Sequence, residues 1–245
     1  MKTRRLATLL FCCGIVLAAF VLYHVLGFDD PSWSEYEVHG VDVSSYQGEI
    51  DWQTLAAQDL QFAFIKATEG STFVDERFED NYWGALSTTL RVGAYHFFSY
   101  DSPGTAQAAN FIATVPKTKD MLPPVVDIEF YGDKQENPAS REETQNILTE
   151  LLNALEEHYG VKPIIYTTQK VYTLYIAGTY HDYDIWISNI VGHPRLLDGK
   201  NWTFWQYSHH GELAGYQGEQ KYIDLNVFSG SLEEFQQYGK EESGE

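Results

Sequence analysis

Apolar residues along this chain fall in short bursts separated by polar or amphipathic stretches. Eight bursts, near residues 38–44, 62–68, 92–98, 124–130, 163–168, 184–189, 202–208 and 223–228, have the length and the β-branched and aromatic content of buried strands. Between the first five lie stretches long enough for helices. These are Trp52 to Gln58, Arg77 to Leu86, Thr105 to Val115, and a segment that opens at Ser140 with Glu143 three residues on, a capping box. That last segment carries Ile147, Leu148, Leu151, Leu152 and Leu155 on one face and stops at Gly160. Ser231 with Glu234 caps a closing helix. Strands that alternate with helices predict a parallel sheet, and eight of them predict its closure into a barrel. After the fifth strand the gaps turn short and rich in Gly, His and Asn. The expected fold is therefore α/β: an irregular TIM-like barrel over residues 38–238, with helices mainly after the first five strands and a tail at 239–245.

Ahead of this domain stands a different pattern. Lys2, Arg4 and Arg5 precede a run from Leu6 to Phe28 without an Asp, Glu, Lys or Arg, long enough to cross a bilayer. Residues 1–28 are read as a signal anchor with a transmembrane helix, the bilayer being its partner, and residues 29–37 as a polar linker. The domain then lies outside the cytoplasm, membrane-anchored, or secreted if the segment is cleaved. Cys12 and Cys13 both fall inside this run, so the exported part has no disulfide and no thiol chemistry. The formal charge of −19 becomes about −22 once the three positive charges of the first five residues are set aside. Such a field excludes nucleic acid as a partner. A polymeric substrate must then be held by short-range contacts, which 17 tyrosines and six tryptophans can supply.

The candidate chemistry starts at Val125-Val126-Asp127-Ile128-Glu129-Phe130. On a strand, Val126, Ile128 and Phe130 point one way and Asp127 and Glu129 the other, which places two acids about 7 Å apart on one face. Burying one unpaired carboxylate is costly; burying two raises a pKa and makes an acid catalyst. The same alternation puts Asp42 and Ser44 inward on the first strand with Tyr46 at the rim, and Lys66 inside the second with Glu69 at its end. Tyr95 and His96 come from the third strand, Tyr166 from the fifth, Trp186 and Ser188 from the sixth, Trp205 and Gln206 from the seventh, and Asp224 from the eighth. Blander readings stand beside these. Asp42 and Asp224 could pair with Lys66 in a structural ion network, His96 could be a hydrogen-bonded core residue, and Trp186 and Trp205 could fill the core or stack on sugars. One i, i+2 carboxylate pair matches no known ligand spacing, so no metal is expected.

Six blocks, in order, resemble glycoside hydrolase family 25, the Chalaropsis-type lysozymes. They are His39-Gly40-Val41-Asp42-Val43-Ser44, Phe64-Ile65-Lys66-Ala67-Thr68-Glu69-Gly70, Gly93-Ala94-Tyr95-His96-Phe97, Pro124 to Glu129, Trp202 to Ser208 and Ile223 to Phe228. The sixth strand, Trp186-Ile187-Ser188-Asn189-Ile190, departs from the family's pattern. The resemblance implies an N-acetylmuramidase that cuts the β-1,4 bond after N-acetylmuramic acid in peptidoglycan, without a cofactor; a monomer is expected. It makes Glu129 the general acid and base, Asp127 the group that orients the substrate's acetamido function, and Asp42 and Asp224 the acids that hold the cleft's charge. Asp42 as direct nucleophile is the rival assignment. Tyr95, Tyr166, Trp186, Lys66 and Gln206 are then the substrate-binding residues. A catalytically silent peptidoglycan-binding barrel, or a hydrolase of another N-acetylated glycan such as chitin, are the alternatives.

Overall fold

A computed structural model describes residues 34–240. Eight strands close a barrel: β1 (His39–Val43), β3 (Phe62–Glu69), β5 (Arg91–Phe97), β6 (Val125–Ile128), β7 (Ile164–Thr168), β8 (Ile185–Ser188), β9 (Phe204–Gly211) and β11 (Ile223–Phe228). Pairing of β1 with both β3 and β11 shuts the ring. Three two-residue strands lie outside it. β4 (Phe73–Val74) folds back on β3, while β2 (Glu49–Ile50) and β10 (Tyr216–Gln217) pair with each other.

The helices sit where the pattern predicts. α1 (Trp52–Ala56), α2 (Phe78–Leu86), α3 (Gly104–Thr114) and α4 (Arg141–Tyr159) follow the first four barrel strands. A short α5 (Gln169–Val171) running into a π-turn at Tyr172–Ile176 follows the fifth, and α6 (Leu232–Gln237) ends the fold. In α4, Ser140 accepts the Glu143 N–H at the start, and Gly160 takes the left-handed conformation at φ 79° that ends it. Leu148, Leu151, Leu152 and Leu155 are fully buried, roughly 1.5–3 kcal/mol of burial for each.

One expectation needs correction: the barrel is not wholly parallel. β11 runs antiparallel to both β1 and β9, because a hairpin excursion through β10, and not a crossover helix, connects it to β9. Asp224 therefore reaches the cleft from the start of its strand. The predicted membrane span at 6–28 lies outside the described residues, and no helix among the described residues is long and apolar enough to cross a membrane. The end of the predicted linker is not free of the barrel. Tyr36 packs against Trp202 and Trp205, Glu35 pairs with His193 at 3.4 Å, and Glu37 accepts the Leu232 N–H at 2.9 Å. An aromatic residue inside a polar stretch anchors it.

The barrel interior divides by height. Its closed end is aromatic: Phe62 meets Phe204 edge-on at 5.2 Å, Phe64 stacks on Trp186 at 4.7 Å, and Phe235 of α6 plugs the bottom. Glycines on the neighbouring strands make room for these rings, since a Cβ at Gly93 would stand 2.5 Å from the Phe64 ring. The open end is polar. That change from ring to carboxylate along the same inward-facing positions creates the site.

Candidate active site

Strand β6 divides as its pattern predicts. Val126 and Ile128 are fully buried in the layer beneath the helices, while Asp127 and Glu129 face a cavity of about 190 Å³ at the open end of the barrel. Asp127 is buried, and its Oδ1 accepts no hydrogen bond among the described residues. Burial raises the proton affinity of both acids, and for Asp127 the charge of Glu129 adds to it. The two titrate as a unit in which holding one proton is favoured. Lys66 works the other way on both, stabilising the ionised forms.

Asp42 sits across the barrel, level with Asp224 in the β1–β11 register. Its Oδ2 accepts from Asn226 Nδ2 at 2.7 Å and Gln206 Nε2 at 3.0 Å. Burial, with the Asp224 charge added, pushes the Asp42 carboxyl up to about 8 despite those two donors. Gln206 is the hub. It donates to Asp42 and, at 3.4 Å, to Asp224, and accepts from Tyr166 Oη at 2.8 Å and Ser188 Oγ at 2.9 Å. At 2 % exposure, with its amide engaged on every side, Gln206 organises the acids and leaves no group free for the substrate contact expected of it.

All nine predicted site residues line this one cavity, Tyr95 and Lys66 among them. Tyr166 and Trp186 meet edge to face at 4.6 Å and are nearly buried, so they make the floor of the cleft and not its walls. Lys66 bonds Glu69 at 3.0 Å and lies 4.9 Å over the Phe97 ring, so the blander reading, an ion network of Lys66 with Asp42 and Asp224, is not what the structure forms. His96 and Trp205 leave the site. His96 points outward between Thr68 and Gln107, and burial lowers it to about 4. Trp205 donates to the Asn189 carbonyl in the outer layer. Both lie one position out of phase with the inward residues beside them.

Two participants were not among the residues expected from the sequence. Asn226 shares the face of Asp224 and was legible by parity; it holds Asp42 and accepts from Trp186 Nε1 at 2.8 Å. His209 was not. Simple alternation from Gln206 sends it outward, but Asn226 pairs with Gln206, Leu225 with Ser208 and Ile223 with Gly211, so β9 carries an extra residue on each side of Ser208. These bulges re-aim His209. Its Nδ1 lies 3.3 Å from Asp224 Oδ1, and that bond raises the imidazole's proton affinity. The rim is fixed by the excursion that carries β10: Gln47 Nε2 donates to Gln220 at 2.9 Å, and Gln220 N–H to the Tyr46 carbonyl at 3.2 Å. Tyr46 itself stands 56 % exposed on the cleft edge.

A barrel whose open end gathers four carboxylates over an aromatic floor, two of them two residues apart on one strand and raised by burial, has the apparatus of a glycosidase. Residues 41–216 match the model of glycosyl hydrolases family 25, and the chain belongs to that family. It is a glycoside hydrolase. Uncharacterized protein YegX of Escherichia coli strain K12 is 37% identical over 210 residues, which cover 84% of this chain and 74% of that protein. Lysozyme M1 of Streptomyces globisporus is 33% identical over 211 residues, covering 79% and 68%. The structure of a family 25 glycosyl hydrolase from Bacillus anthracis superimposes with a TM-score of 0.82 at 54% identity, over 86% of this chain and 97% of that one.

Proposed function

We propose that this protein is a muramidase that hydrolyses the β-1,4 bond after N-acetylmuramic acid in peptidoglycan, with the substrate's own acetamido oxygen as nucleophile. The observation that carries the mechanism is Asp127 Oδ1, a buried carboxylate oxygen that accepts no hydrogen bond among the described residues. An acetamido N–H fits that acceptor. Hydrogen bonding to the ionised form favours it, so the incoming N–H lowers the proton affinity of Asp127 and leaves the pair's proton on Glu129. Glu129 then protonates the leaving oxygen while the acetamido carbonyl oxygen attacks the anomeric carbon. A water activated by the ionised Glu129 opens the resulting ring, and the anomeric configuration is retained.

The rival nucleophile, Asp42, suits the task poorly. Its Oδ2 already accepts two hydrogen bonds, and burial with the Asp224 charge raises the group's proton affinity. Kinship with a family that includes proteins named lysozyme supports peptidoglycan as the substrate. The reading extends to residues 6–28 as a membrane tether, with the domain acting as a monomer on glycan strands outside the cytoplasm; recovery of the full chain only in the soluble fraction would defeat the tether.

The test is to incubate residues 29–245 with peptidoglycan and identify new reducing ends by mass spectrometry. Muramic-acid ends are expected, with a loss of about 10²–10⁴-fold in Glu129→Gln. N-deacetylated strands are expected to resist cleavage. Rapid cleavage of deacetylated strands would overturn the neighbouring-group step, and glucosamine ends the bond specificity.

A further inference from the structure

Muramic acid carries, through its lactyl group, a peptide with free carboxylates, so the polymer is anionic just where the cleft presents Asp42, Asp127, Glu129 and Asp224. Like charges in one partly desolvated site repel strongly, so the stem must leave the cleft toward a cation. Lys66 does not serve. Its side chain is largely buried, bonded to Glu69 and covered by Phe97.

A second hollow, of about 360 Å³, opens beside the cleft and shares Gln220 and Asp224 with it. At about 30 Å³ per water it has room for on the order of a dozen waters, enough for a short length of peptide. Its other walls are His209, Lys221 and Tyr222. Lys221 Nζ lies 4.7 Å over the Tyr222 ring and 2.7 Å from Glu212 Oε1, both charges standing well out in solvent. An exposed pair of this kind contributes little, so the ammonium can exchange Glu212 for a ligand carboxylate at small cost. Tyr222 is braced edge-on by His210 at 5.0 Å, and the loop is pinned at Gln220 by Gln47 and the Tyr46 carbonyl. The hollow is thus preformed, which spares the ordering cost of binding.

We propose that this hollow receives the acidic peptide stem of the muramic acid being cleaved, with Lys221 as its carboxylate contact and Tyr222 as the surface along which the peptide lies. The assignment rests on the muramidase reading of the neighbouring cleft. It makes the enzyme selective for glycan that still carries its peptides.

The experiment compares kcat/KM on strands with stems intact and on strands stripped by an amidase, for the wild-type domain, Lys221→Ala and Lys221→Glu. Lys221→Ala is expected to lower the ratio of the two values about fivefold at low salt, and Lys221→Glu to lower it further. Added salt should shrink both effects. Equal losses on both substrates, or an unchanged ratio in Lys221→Glu, would overturn the assignment while leaving the muramidase intact. A wild-type domain that cuts neither substrate would remove the muramidase reading itself, and this inference with it.

Discussion

The proton on Asp42 should be visible in the stability of the fold. Unfolded, this carboxyl titrates near 3.8; folded, it is pushed up to about 8 by burial and by Asp224. Between those values the native protein holds a proton that the unfolded chain has lost, so the slope of unfolding free energy against pH is negative. Stability that is present at acid pH is lost as pH rises toward 8. One group contributes at most about 1.4 kcal/mol per pH unit, or on the order of 4 kcal/mol between pH 5 and 8. Asp42→Asn is the matched perturbation, because the amide oxygen can still accept from Asn226 and Gln206 while the titration is gone. Asp127 and Glu129 remain in both proteins, so the difference reports the Asp42 titration together with its charge coupling to Asp127 and His209. Thermal unfolding of the two, followed by circular dichroism across that range, should show the wild type falling relative to the variant by ~10 °C, at about 2–4 °C per kcal/mol for a domain of this size. Parallel curves, each a single transition, would show that Asp42 is ionised in the native state. The case against it as a nucleophile would then fail as well.

Asn226 links the Trp186 indole to Asp42, and Asn226→Leu leaves that buried indole N–H unpartnered while stripping a donor from the acid. About 2–5 kcal/mol of destabilisation is expected in urea titration. Gly93→Ala drives a methyl into the Phe64 ring and should cost about 1–3 kcal/mol with the cleft residues unchanged; a wild-type urea midpoint would show that the barrel wall yields.

The eight strands and the inward carboxylates were legible because alternation is a rigid rule in a closed barrel: one face meets helices, the other meets the interior. Asp127, Glu129, Asp42 and Asp224 share a cavity for that reason alone. Where alternation broke, so did the reading. The bulges in β9 turned His209 inward against the count, and nothing in the sequence around Ser208-His209-His210 marks the extra residues there. Strand direction is a property of connections and not of the strands themselves. The Gly-rich gap from Gly211 to Gly218 signalled a missing helix, yet only the pairing with β1 and β9 shows that β11 is reversed. Gln206 faces inward as expected, and its role as hub depends on which neighbours reach it, information that no single strand carries.

Reversal of β11 also decides where the chain enters and leaves. β1 begins at the aromatic pole, and β11, running backwards, ends there. Glu37 holds the first residue of α6, so the two ends of the barrel are joined by a hydrogen bond at the pole opposite the cleft. Among the described residues the chain therefore enters and leaves the barrel at that pole, and neither end crosses the mouth of the cleft.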